Sequence, residues 1–189
     1  MVVKIRGFTL IEMIVVIVIM AIAITGVTAS LFPLGKQSAD QASAVKATEL
    51  GRAVMDEILG RNFDQKSGPN GGLPECIPKL INDAESCTLP GSLGPDDGEH
   101  FSDKSAFNDV DDFNGLTGLV TDVLDEDLQG VNRGYTDYRI NIEVFYEVDD
   151  SGTMLGDASS AATHYKRINI TITDRQGQEY PISAIRGNF

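Results

Sequence analysis

One carboxylate at the mouth of an apolar run constrains this chain more than any other feature. Arg6-Gly7-Phe8-Thr9-Leu10-Ile11-Glu12 leads into Met13-Ile14-Val15-Val16-Ile17-Val18-Ile19-Met20-Ala21-Ile22-Ala23-Ile24, and hydrophobic character persists with few interruptions to Leu34. About 20 apolar helical residues cross the hydrocarbon core of a bilayer, so this segment has the length and composition of a membrane helix. Glu12 lies inside it, where a charge in lipid costs roughly 2.5 to 3.5 kcal/mol on insertion scales. No Lys, Arg or His occurs between Phe8 and Leu34. The counter-charge has to come from another molecule.

Two ordinary explanations leave something over. A cleaved secretory signal needs a small-residue cleavage site after the apolar core, and Ala29-Ser30-Leu31 is a poor one. A plain single-pass anchor accounts for the length but for neither Glu12 nor the Gly7-Phe8 junction. Gly7-Phe8-Thr9-Leu10-Ile11-Glu12 before a hydrophobic helix resembles the class III signal of type IV prepilins and type II secretion pseudopilins. The resemblance implies that a prepilin peptidase cuts between Gly7 and Phe8 and methylates the new amino group of Phe8. The helix is then kept and packs in a filament core, with Glu12 of one subunit facing the Phe8 ammonium of a neighbour. A lone buried charge is heavily penalised and an opposite charge out of water attracts strongly, so such a pair can set the register of assembly.

Charge and cysteines narrow the rest. Asp and Glu number 28 against 15 Lys and Arg, which argues against a phosphate-backbone surface and so against nucleic acid as a partner. Lys4 and Arg6 ahead of the helix favour an N-in orientation, with everything after Leu34 outside the cytoplasm. There Cys76 and Cys87 are most simply a disulfide closing a short loop. Metal binding would want more ligands at short spacing, which His100 and His164 do not supply, and a redox dithiol would usually show Cys-x-x-Cys.

Along the chain, Gly26 and Pro33 lead us to expect a kink or a melted turn at the far end of the apolar segment. From Lys36 to Leu59 the pattern is an amphipathic helix with a narrow stripe of Ala47, Leu50, Val54 and Ile58, and Gly60 is placed to cap it. Between Arg61 and Asn132 periodicity dissolves into turn residues, most clearly in Ser67-Gly68-Pro69-Asn70-Gly71-Gly72. The acidic segments there, Leu93 to Glu99 and Phe107 to Gly115, offer the hard oxygen donors that calcium takes, with Asp109, Asp111 and Asp112 as candidates. Counting an EF-hand from Asp109 puts Phe113 and Asn114 where a ligand and a glycine are required, so that loop does not fit. The competing reading is that these residues bond their own backbone in turns.

Tyr138 to Val148 alternates apolar and polar residues, Arg167 to Thr173 repeats the pattern, and Glu179 to Ile185 completes an antiparallel hairpin across Asp174-Arg175-Gln176-Gly177-Gln178. Pro181 marks the last as an edge strand. Ile140, Ile142, Ile170 and Ile172 are expected in the core. The fold class is α+β and type IV pilin-like: a long N-terminal helix, its first half transmembrane, packed on a C-terminal antiparallel β-sheet. Residues 1–7 form the leader, 8–34 the transmembrane or filament-core helix, 35–60 the amphipathic part of the spine, and 61–189 the head.

Ala47 to Leu59, the two cysteines, Asp109 to Phe113 and the ending Ser183 to Phe189 resemble the minor pilins of mannose-sensitive haemagglutinin pili. That resemblance implies a low-abundance subunit that helps to initiate or decorate an attachment filament, with other pilin and minor pilin subunits as partners. Before assembly it would sit in the inner membrane with its head in the periplasm. A pseudopilin of a type II secretion system is the alternative. A membrane-anchored enzyme is more remote, since no Ser-His-Asp spacing, nucleophile elbow, phosphate loop or zinc motif occurs.

Overall fold

The computed structural model describes residues 7–68, 74–78, 86–120, 135–150 and 153–189, with 31–37, 149–150 and 153–155 described by their backbone alone. Lys4 and Arg6, the turn residues from Pro69 to Gly72, and Ser151-Gly152 lie outside them. A single helix, α1 (Leu10–Leu59), is followed by strands β1 (Thr117–Leu119), β2 (Arg139–Asp150), β3 (Thr153–Ala158), β4 (Tyr165–Thr173) and β5 (Glu179–Gly187). The chain divides into two compact units, Met1–Ser43 and Ala44–Phe189. The α+β architecture is the one expected from the pattern of residues.

In the first unit, residues 10–30 of α1 are apolar with a mean hydropathy of 2.8, and none of their side chains is buried. This stretch is long and apolar enough to cross a membrane. The backbone remains helical through Gly26 and Pro33, where a kink or melted turn was expected. Thr25, Thr28 and Ser30 turn their hydroxyls back onto the carbonyls of Ala21, Ile24 and Gly26, which satisfies them without leaving the helix.

The second unit begins sixteen residues before Gly60, because the end of α1 belongs to the core of the head. Ala47, Leu50, Val54 and Ile58 are buried, as their spacing required, and Met55 joins them. They share one apolar core with Ile140, Ile142 and Val144 of β2 and Ile168, Ile170 and Ile172 of β4. Gly51 permits the close approach: a Cβ there would stand 2.2 Å from Cδ1 of Ile182 on β5. The helix ends at Leu59, with the Gly60 amide still donating to the carbonyls of Asp56 and Glu57.

The sheet is antiparallel in the order β1-β2-β4-β5, with β3 folded back on the end of β2. Ile142 faces Ile170 and Ile140 faces Ile172 in the β2–β4 register, so inward residues meet inward residues. Among the described strands β5 lies at the edge, as Pro181 implied. Several details depart from the reading of the sequence: β2 runs on to Asp150 and β5 to Gly187. β4 starts two residues earlier, at Tyr165; β1 falls inside the stretch expected to be irregular; and β3 was not foreseen.

Candidate functional site

At the N-terminus Gly7, Phe8 and Thr9 precede the first turn of α1. Thr9 caps the helix: its hydroxyl accepts from the Glu12 amide at 3.4 Å and its carbonyl from the Met13 amide at 3.3 Å. Thr9-Leu10-Ile11-Glu12 has the spacing of a capping box, and an acid in the first turn sits at the positive end of the helix dipole. Glu12 therefore has a local reason for its position besides any intermolecular one. Phe8 is 74% exposed and Glu12 is exposed too, so both are available to another chain.

Residues 3–28 match the prokaryotic N-terminal methylation motif. No curated protein and no solved structure matches the chain. The methylation motif covers Gly7, Phe8 and Glu12 together with most of the apolar segment, and it supports a type IV pilin-like subunit, pilin or pseudopilin. It stops short of the head, so the likeness to a particular minor pilin is untouched by it.

The head has a polar centre of its own. Cys76 and Cys87 are joined, with Cα atoms 4.9 Å apart, and pack with Phe63 and Tyr146 in a second small cluster. Against this cluster lies Lys166, fully buried on β4. Its Nζ donates to the Phe63 carbonyl at 2.7 Å, to Asp64 Oδ2 at 3.2 Å and to Asp111 Oδ1. The rings of Phe63 and Tyr146 stand 4.6 and 5.2 Å from the ammonium, close enough for cation–π attraction. Tyr146 adds a hydrogen bond from its hydroxyl to the Thr88 carbonyl, 2.8 Å. Burial works against the charged lysine, but Asp111, Asp64 and Asp109 outweigh it and raise its pKa. Burial also opposes ionisation of Asp64, yet Lys166 and the amides of Thr88 and Lys66 hold its carboxyl below the usual range.

The three acidic candidates separate here. Asp111 is held by Lys166, and the carboxylates that gather their oxygens within reach of one ion include Asp109 and Asp112 but not Asp111. Asp109 and Asp112 do make backbone turns, as the competing reading held. Asp109 Oδ1 accepts from the Asp111 amide at 2.9 Å, and Asp112 Oδ2 accepts from the amides of Asn108 and Asp109 at 2.8 and 3.0 Å. Their other oxygens, Asp109 Oδ2 and Asp112 Oδ1, are buried without a hydrogen-bond partner. Burial first, then the neighbouring charge of Asp111, pushes the Asp109 carboxyl up to about 10. Burial raises Asp112 to about 7 against the two amides it accepts from, with Glu99 adding to the rise.

Asp96, which sequence reading did not single out, completes a trio with them: one oxygen from each of Asp96, Asp109 and Asp112 lies within 4.8 Å of the others. The segments are fixed from several sides. Asn62 bridges to Asp109, and the Val110 amide donates to the Asn62 carbonyl at 3.0 Å. Asn114 reaches both ways, its Nδ2 to the Leu93 carbonyl and its Oδ1 to the Val144 amide. In the other segment the Glu99 amide donates to the Asp96 carbonyl at 3.0 Å, a turn whose third residue, Gly98, has φ of 95°. Only glycine takes that conformation without strain.

Lys166 carried a readable signal. It is two residues from Ile168, on the inward face of an alternating strand, where a lysine is out of place unless it is paired. Asp96 carried only its place in the acidic segment Leu93 to Glu99, and Asp64 carried no signal, since its partners lie far along the chain.

Proposed function

We propose that this chain is a minor pilin of a type IV pilus of the mannose-sensitive haemagglutinin kind, similar to MshD, matured by cleavage between Gly7 and Phe8. The reading rests on one observation: a first-turn carboxylate, Glu12, on an unburied apolar helix that begins at Leu10, two residues after the Gly7-Phe8 junction. Before assembly the apolar stretch of α1 lies in the inner membrane with the head in the periplasm. In a filament the same stretch packs against other subunits, and the Phe8 ammonium of one chain meets Glu12 of the next. That exchange of lipid for protein gives the acid its counter-ion, which supports an assembling subunit over a solitary anchor.

The deciding experiment is the mass of the N-terminal peptide of protein extracted from membranes. A chain beginning at N-methylated Phe8 is expected; a chain beginning at Met1 overturns the reading. Deletion of the gene separates the pilus from the export alternative. Loss of surface filaments and attachment with secretion intact is expected, and the reverse pattern would assign the chain to a type II secretion system.

A further inference from the structure

We propose that Asp96, Asp109 and Asp112, with Glu99 beside them, hold a divalent cation in the head and that this cation is calcium. The inference stands apart from the pilus reading, since it uses the head alone. Acidic residues in a loop are by themselves unremarkable, but two of these are not loop-surface acids. Asp109 and Asp112 are each 1% exposed, and each has one oxygen spent on backbone amides while the other has no hydrogen-bond partner. A buried carboxylate oxygen left unpaired costs free energy that a native fold ordinarily avoids. A cation bound by both would remove that cost at one stroke.

Of the buried lysines, Lys166 is engaged by Asp64, Asp111 and the Phe63 carbonyl and Lys104 donates to the Phe101 carbonyl, and among the described residues no salt bridge reaches Asp96, Glu99, Asp109 or Asp112. Glu99 is drawn in by its own bonds: Oε2 accepts from the Asp96 amide and Oε1 from Asn108 Nδ2, both at 3.1 Å.

Oxygen donors alone select a hard cation over zinc or copper. One oxygen from each of the three carboxylates lies within 4.8 Å of the others, near enough to share one ion, and ligands drawn from two separate turns suit the flexible coordination of calcium better than the near-ideal octahedron that magnesium demands. A bound ion ties the Asp96 to Glu99 turn onto the Asp111–Phe113 turn, two segments of the head otherwise joined through Asn108 and Asn114.

The test uses the full chain in detergent, stripped with EDTA, and titrated with CaCl2 or MgCl2 by calorimetry and thermal melting. One calcium per chain is expected, with a dissociation constant of about 10⁻⁴ to 10⁻³ M as in other extracellular modules. The melting temperature should rise by about 5 to 10 °C at a hundredfold excess over that constant. Asp112→Asn should abolish the rise. Asp96→Asn, at a half-buried position, keeps the fold and should lose at least tenfold in affinity, so it decides the matter if the first variant is unstable. No heat and no shift with CaCl2 overturns the proposal. An equal response to MgCl2 overturns the choice of calcium, and a full calcium response in both variants overturns the site.

Discussion

Lys166 is charged where charge is costly, and its surroundings explain why it stays there. Three oxygens and two aromatic faces surround one ammonium, so removing it strands two buried carboxylates. Lys166→Met is expected to lower stability by about 3 to 5 kcal/mol, measured by denaturant unfolding of the full chain in detergent. Asp64 makes the matching pH prediction. Its folded pKa lies below the unfolded value, so in that window the unfolded state binds the extra proton and stability rises with pH. The stability that wild type holds over Asp64→Asn should be fully present above about pH 4, where the unfolded carboxyl is ionised, and should disappear as pH falls through the depressed folded value. Thermal melts of both proteins between about pH 2 and 6 measure it; a difference that does not vary across that range would show that Lys166 does not hold Asp64 ionised. At this scale the sequence was half legible. An inward lysine in β4 is visible from alternation, but the meeting of Asp96 with Asp109 depends on anchors at Asn62 and Asn114 that no local pattern announces.

At the scale of elements, periodicity carried most of the information. The helical stripe and the two long strands each bury the face that their spacing marks, because a period of 3.6 or 2 reports which side is dry. The short strands were hidden for the same reason. β1 has three residues, too few to show a period, and β3 contains Gly156 at φ 83°, which breaks one. Gly51 tests the helix against the sheet. Gly51→Val should destabilise the head by about 1 to 3 kcal/mol through overpacking, read as a lower denaturation midpoint with an unchanged slope. An unaffected midpoint would mean that Ile182 swings aside without cost.

At the scale of the whole molecule, an N-terminus that matches a processing motif and a head built around a covalent link and a buried ion network serve separate tasks. Glu12→Ala should leave cleavage at Gly7 intact while incorporation into filaments falls at least tenfold, as scored by immunoblots of sheared filaments against membranes. Full incorporation of the variant would remove the carboxylate from assembly and leave it only its place in the helix cap. The sheet sets one further condition on how heads meet. β5 is a border strand, and Pro181 leaves its middle without an amide to offer. Hydrogen-bonded continuation of the sheet across this edge is thereby discouraged. In the proposed filament, heads that meet along β5 would adhere through side chains, which differ from one kind of subunit to another and so can choose their neighbours.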